Sequence, residues 1–137
     1  MSDTIVVGVD GSDTAAKAAQ AAAHLAAATG AKLHIVTAYK KLESDVVGAG
    51  SDQFYYTTRD EALDVAVAEA ARVNVEVTVE AVRGKPADAL IAEAERLEAS
   101  LIVVGNRRMQ GIGRLLGSVA SDVAHHAPCD VYIVKTT

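Results

Sequence analysis

The chain has 137 residues, half of them hydrophobic and 23% charged, with a formal net charge of −5. That length suits one domain with a real core, spanning residues 1–137, and the composition excludes a disordered or collagen-like chain. The acidic balance argues against a nucleic-acid partner, and no apolar run reaches the ~18–20 residues that cross a bilayer.

Thr4 to Asp10 (TIVVGVD) is a short β-branched run, as expected of a strand covered on both faces. Gly11-Ser12-Asp13 breaks it, and Ser12 or Asp13 suits a helix cap. Thr14 to Thr29 is nearly all alanine, with Gly30 as a fitting stop. Lys32 to Tyr39 (KLHIVTAY) reads as a second buried strand. Lys40 to Gln53 reads as a loop, and helical spacing begins near Phe54 and runs to Val73. Leu63, Val67, Ala70 and Ala71 are expected to form its apolar face.

Glu76 to Val82 alternates like a strand with one wetter face, which suits a sheet edge. After the Arg83-Gly84-Lys85 turn, Pro86 suits the first helical position, and Leu90, Ile91, Ala94 and Leu97 make a stripe. Leu101 to Val104 is the most apolar run and reads as a central strand. Gly105 to Gly113 is a loop, Ser118 to His126 a helix stopped by Pro128, and Asp130 to Lys135 the last strand. The alternation predicts an α/β, doubly wound, five-stranded parallel sheet with helices on both faces. The order 3-2-1-4-5 is expected. It places a ligand crevice beyond the ends of the first and fourth strands, at Val9, Asp10, Val104 and Gly105.

The informative segment is Gly105 to Val119, GNRRMQGIGRLLGSV. Three later glycines permit close backbone approach, and Gly117-Ser118 opens a helix whose first amides attract an anion. Arg107, Arg108 and Arg114 add positive charge. Spacing alone leaves two readings open: a phosphate site, or a glycine-rich connection with solvated arginines. No Walker A pattern is present, and a dinucleotide fingerprint after the first strand would meet the Asp10 carboxylate. A phosphoacceptor receiver domain would need an acid after the third strand, where Arg83-Gly84-Lys85 stands. The four histidines lack metal-ligand spacing and no nucleophile–base motif is visible. Cys129 reads as a small buried hydrophobe.

VVGVDGS at 6–12, LIVVGN at 101–106, GRLLGSV at 113–119 and APCDVYIVK at 127–135 together resemble the universal stress protein family. Nucleotide-binding members carry G-x2-G-x9-G-[ST]. Gly105, Gly117 and Ser118 match it, whereas Arg108 stands at the second glycine and the loop is one residue shorter. The resemblance implies an adenine nucleotide, most simply ATP with or without Mg²⁺, with AMP or cyclic AMP as alternatives. Its phosphates would lie on Gly105, Asn106, Arg107, Arg108 and Met109, with Gly111 and Gly113 giving flexibility, and on the amides of Gly117, Ser118 and Val119. Asp10 would meet the ribose, Val9 the base, and the backbone near Thr37 and Ala38 the adenine. It also implies a stress-response regulatory role without evident catalysis, and a homodimer through Val131, Tyr132, Ile133 and Val134. A dimeric regulatory module without nucleotide is the alternative. The early first strand leaves no room for a signal peptide, and with the single cysteine this makes a cytoplasmic location the expectation.

Overall fold

The computed structural model describes residues 3–10, 13–39, 63–106 and 117–135. The expected loop at 40–53, the helix start at 54–62, the Ser12 cap, and Arg107, Arg108, Met109, Gly111, Gly113 and Arg114 lie outside them. Strand β1 (Thr4–Gly8) is followed by helix α1 (Asp13–Thr29) and β2 (Lys32–Tyr39). Residues 63–70 are helical and are termed α2. Then come β3 (Val77–Arg83), α3 (Pro86–Leu97), β4 (Leu101–Gly105), α4 (Ser118–His126) and β5 (Asp130–Val134).

The five strands form one parallel sheet in the expected order, β3-β2-β1-β4-β5. Parallel strands need crossovers, and the crossover helices cover both faces. On one face, Ile5, Val7, Leu33, Ile35 and Val103 pack against the alanines of α1 and against Ala66 and Ala70 of α2. On the other, Val6, Val36, Ile102 and Val104 meet α3 and α4 through Leu90, Ala94, Ala120 and Val123. Ala18, Ala19, Ala22, Ala23 and Ala26 are fully buried, so α1 lies close to the sheet with no long side chain between.

Helix ends follow their local chemistry. Gly30 takes φ +77°, and Ala31 N–H bonds to Ala26 O at 3.0 Å, which closes α1 in a left-handed cap. Pro86 opens α3, and α4 ends at His126 with Ala127 extended before Pro128. In α2 the structure departs from the expected face. Ala66 and Ala70 are buried while Val67 and Ala71 are exposed. Leu63 and Ala70 keep their expected places, and Ala66 and Val73 complete the face in place of Val67 and Ala71 with spacings of three and four. The edge strand β3 is wetter than alternation suggested, with even Val79 exposed.

Candidate functional site

The sheet order reverses between β1 and β4, and the chain opens there into a cleft of ≈ 490 Å³. That volume falls within the range of small-molecule sites. After β1, Val9 N–H bonds to Val36 O at 2.9 Å, which keeps the chain in register for one more residue. Asp10 then leaves the sheet and stands exposed at the cleft's rim. Val36 and Ala38 of β2 and Val104 and Gly105 of β4 complete the floor. In a parallel sheet every following helix starts at the carboxyl edge. The first turns of α1 (Thr14, Ala15), α3 (Pro86, Leu90) and α4 (Gly117 to Ala120) therefore form the walls.

The start of α4 is held by a buried side chain. Asn106 is fully buried, and its Oδ1 accepts the Gly117 N–H at 2.8 Å. This bond ties the end of β4 to the helix start across the eleven-residue interval. Gly117 is extended (φ −65°, ψ 161°) and makes no side-chain cap, and the first turn holds no acid. Its carbonyl accepts the first helical bond, from Ser121 N–H at 2.9 Å. The amides of Ser118 and Val119 thus open towards the cleft with the positive end of the helix dipole behind them.

Two glycines set the width of the cleft. A Cβ on Gly105 would lie 2.6 Å from Thr14 Cγ2 and 2.9 Å from Thr14 O, so its absence lets α1 press its first turn onto β4. A Cβ on Gly8 would meet Leu90 Cδ1 at 2.8 Å, so α3 leans on β1 in the same way.

Among the expected site residues, Val9, Asp10, Ala38, Gly105, Gly117, Ser118 and Val119 are brought together around the cleft. Asn106 sits behind them, engaged with Gly117. Thr37 is buried but does not line the cleft, since the pleat turns it away from the side shared by Val36 and Ala38. Thr14, Ala15, Pro86 and Leu90 were not anticipated. The signal was available in the rule that all crossover helices begin at one edge, with Pro86 marking such a beginning.

Elsewhere, His125 and His126 donate Nδ1–H to the Ser121 and Asp122 carbonyls. Among the described residues no group of three His, Cys, Asp or Glu side chains gathers as a metal site. Cys129 is half-buried, and burial, aided by Asp130, pushes its thiol pKa up, which keeps it protonated at neutral pH. No helix among the described residues is long and apolar enough to cross a membrane.

A profile of the universal stress protein family matches residues 1–135. A universal stress protein of Mycobacterium tuberculosis (strain H37Rv) is 40% identical over 142 residues, covering 98% of this chain and 97% of its own. A solved universal stress protein in complex with cAMP is 38% identical with a TM-score of 0.77, over 98% of both chains. Another, from Archaeoglobus fulgidus in complex with dAMP, is 27% identical with a TM-score of 0.73, over 97% of this chain and 98% of its own.

Proposed function

The chain belongs to the universal stress protein family, and on that premise we propose that it binds an adenine nucleotide in the cleft between β1 and β4. The observation that carries this reading is the first turn of α4, without a side-chain cap, lining the same cleft as Asp10. The two ends suit opposite parts of one ligand. A phosphate accepts from the Ser118 and Val119 amides and from the Ser118 hydroxyl, gaining ~0.3–1 kcal/mol from the dipole and up to ~2 in shelter. Asp10 accepts from a ribose hydroxyl, which is a donor. Val9, Val36 and Ala38 offer the purine an apolar surface.

A nucleotide with one phosphate, AMP or cyclic AMP, is favoured. Two similar structures are in complex with cAMP and dAMP, each with a single phosphate. ATP would need two further anchors, for which Arg107, Arg108 and Arg114 are the cations in the sequence. Calorimetric titration with AMP, cyclic AMP and ATP decides among them. Saturable heat with at least one is expected, and silence with all three at protein concentrations above about micromolar rejects the reading. Gly117→Val should abolish binding, because a β-branched side chain at the helix start would stand over the Ser118 amide.

A second feature concerns assembly. Among the described residues β5 pairs only with β4, and Tyr132 is 44% exposed, with Val131 and Ile133 half-buried beside it. An apolar edge strand of this kind invites pairing with another copy. A homodimer through Val131 to Val134, acting as a cytoplasmic stress regulator, is part of the same proposal. Tyr132→Glu should give monomers in sedimentation, and an unchanged oligomeric state would remove this edge from the account.

A further inference from the structure

One turn beyond Leu90 along the same buried face of α3 lies a polar cluster that nucleotide binding does not use. Register places His34 of β2 directly beside Thr78 of β3, and α3 brings Glu93 over both. His34 is buried, with Nε2 at 2.8 Å from Glu93 Oε1 and Nδ1 at 2.6 Å from Thr78 Oγ1. Arg96 grips the same carboxylate through both oxygens, Nη2 to Oε1 at 2.7 Å and Nε to Oε2 at 3.0 Å.

The proton positions follow from these contacts. Arg96 holds the Glu93 carboxyl below its ordinary pKa, against the opposing effect of burial and with His34 assisting. An ionised carboxylate only accepts, so His34 Nε2 carries the hydrogen and donates it. In the neutral ring Nδ1 is then a lone pair, and the Thr78 hydroxyl donates to it. A hydroxyl bonded to an imidazole whose far nitrogen is oriented by a carboxylate is the arrangement that activates a nucleophile. Thr78 itself is exposed on the edge strand, so a small electrophile reaches it without a pocket.

We propose that Thr78 is a nucleophilic hydroxyl, served by the His34–Glu93 pair, and a site of O-acylation by small activated acyl donors such as acyl phosphates. Thr78 Oγ attacks the donor's carbonyl carbon and forms the new C–O bond, while its proton passes to His34 Nδ1. The bond from that carbon to the leaving oxygen breaks with its electron pair on the oxygen, which takes the proton back from the imidazolium. Glu93 stabilises the transient positive ring, and Arg96 keeps Glu93 charged and in place. The product is a threonine ester on the β3 edge.

The test is incubation of the intact protein with acetyl phosphate, and separately with p-nitrophenyl acetate, followed by peptide mass mapping. One acetyl group on Thr78 is expected to appear well ahead of the other hydroxyls. His34→Gln should slow it about 100-fold, the usual contribution of a general base, and Thr78→Ser should retain it. Glu93→Gln, which keeps the shape of the cluster, should slow it as well and serves should His34→Gln not fold. Thr78 left unmodified while lysines are acetylated overturns the proposal, as does a wild-type rate in both the His34 and the Glu93 variants.

Discussion

Gly105→Ala isolates the packing on which the cleft depends. The added methyl would sit 2.6 Å from Thr14 Cγ2, 2.9 Å from Thr14 O and 3.4 Å from Thr14 C. Carbon contacts are comfortable at about 3.5–4.0 Å, so the overlap is close to 1 Å. Rotation of the Thr14 side chain relieves the methyl clash but leaves the carbonyl oxygen, which belongs to the helix backbone. The first turn of α1 must therefore shift away from β4, at the usual overpacking cost of about 1–3 kcal/mol. Gly8→Ala is the control. Its new Cβ meets only Leu90 side-chain atoms, at 2.8, 3.0 and 3.3 Å, and a strained rotamer there costs about 0.5–1.5 kcal/mol. Urea unfolding should show the larger midpoint drop for Gly105→Ala with an unchanged slope, and Tm should fall by about 4 °C per kcal/mol. Because Thr14 and Ala15 line the cleft, nucleotide affinity should fall too. Wild-type stability for Gly105→Ala, or a greater loss for Gly8→Ala, would refute the reasoning.

Asn106→Leu should leave the Gly117 N–H without its acceptor and cost about 1–3 kcal/mol, with weaker nucleotide binding as α4's start loosens; unaltered unfolding and affinity would count against the tie. Glu98 closes α3 in the left-handed region at φ 52°, so Glu98→Gly should raise stability by about 0.5–1 kcal/mol in a denaturant titration, and a loss would contradict it. The lowered pKa of Glu93 gives a pH signature. A carboxyl whose folded pKa is depressed contributes stability above its unfolded value of about 4.3, and that contribution disappears as pH falls through the lower folded value. Unfolding below about pH 4 should thus be steeper in wild type than in Glu93→Gln, and matching profiles would exclude the pair as its source.

The sheet was legible because burial on both faces leaves a plain mark. Ile5 to Val7 and Ile102 to Val104 are unbroken apolar runs with no polar residue to place outward, and their strands lie side by side within the sheet, between β2 and β5. Small residues were harder to read. In α2, Leu63 and Ala70 lie against the core as their spacing implies, but the position between them is filled by Ala66 and not Val67, and a single methyl gives little hydrophobic signal in sequence. The cleft's floor followed from strand ends, and Asp10 and Gly105 were found in that way. Its α3 wall was missed because Pro86 and Leu90 come from a crossover helix whose sequence shows only an ordinary stripe. The bond from Gly117 to the Asn106 side chain spans an eleven-residue interval that no local pattern marks. The His34–Glu93 pair joins residues fifty-nine positions apart, and no local pattern announces a contact created by the packing of α3 on β2.

The most direct measurement follows the backbone amides of isotopically labelled protein as cyclic AMP or AMP is added. Saturable shifts concentrated at Val9, Asp10, Ser118, Val119 and Ala120 are predicted. Shifts confined to strands β3 and β5, with Ser118 and Val119 unmoved at saturation, would show that the start of α4 does not receive the phosphate.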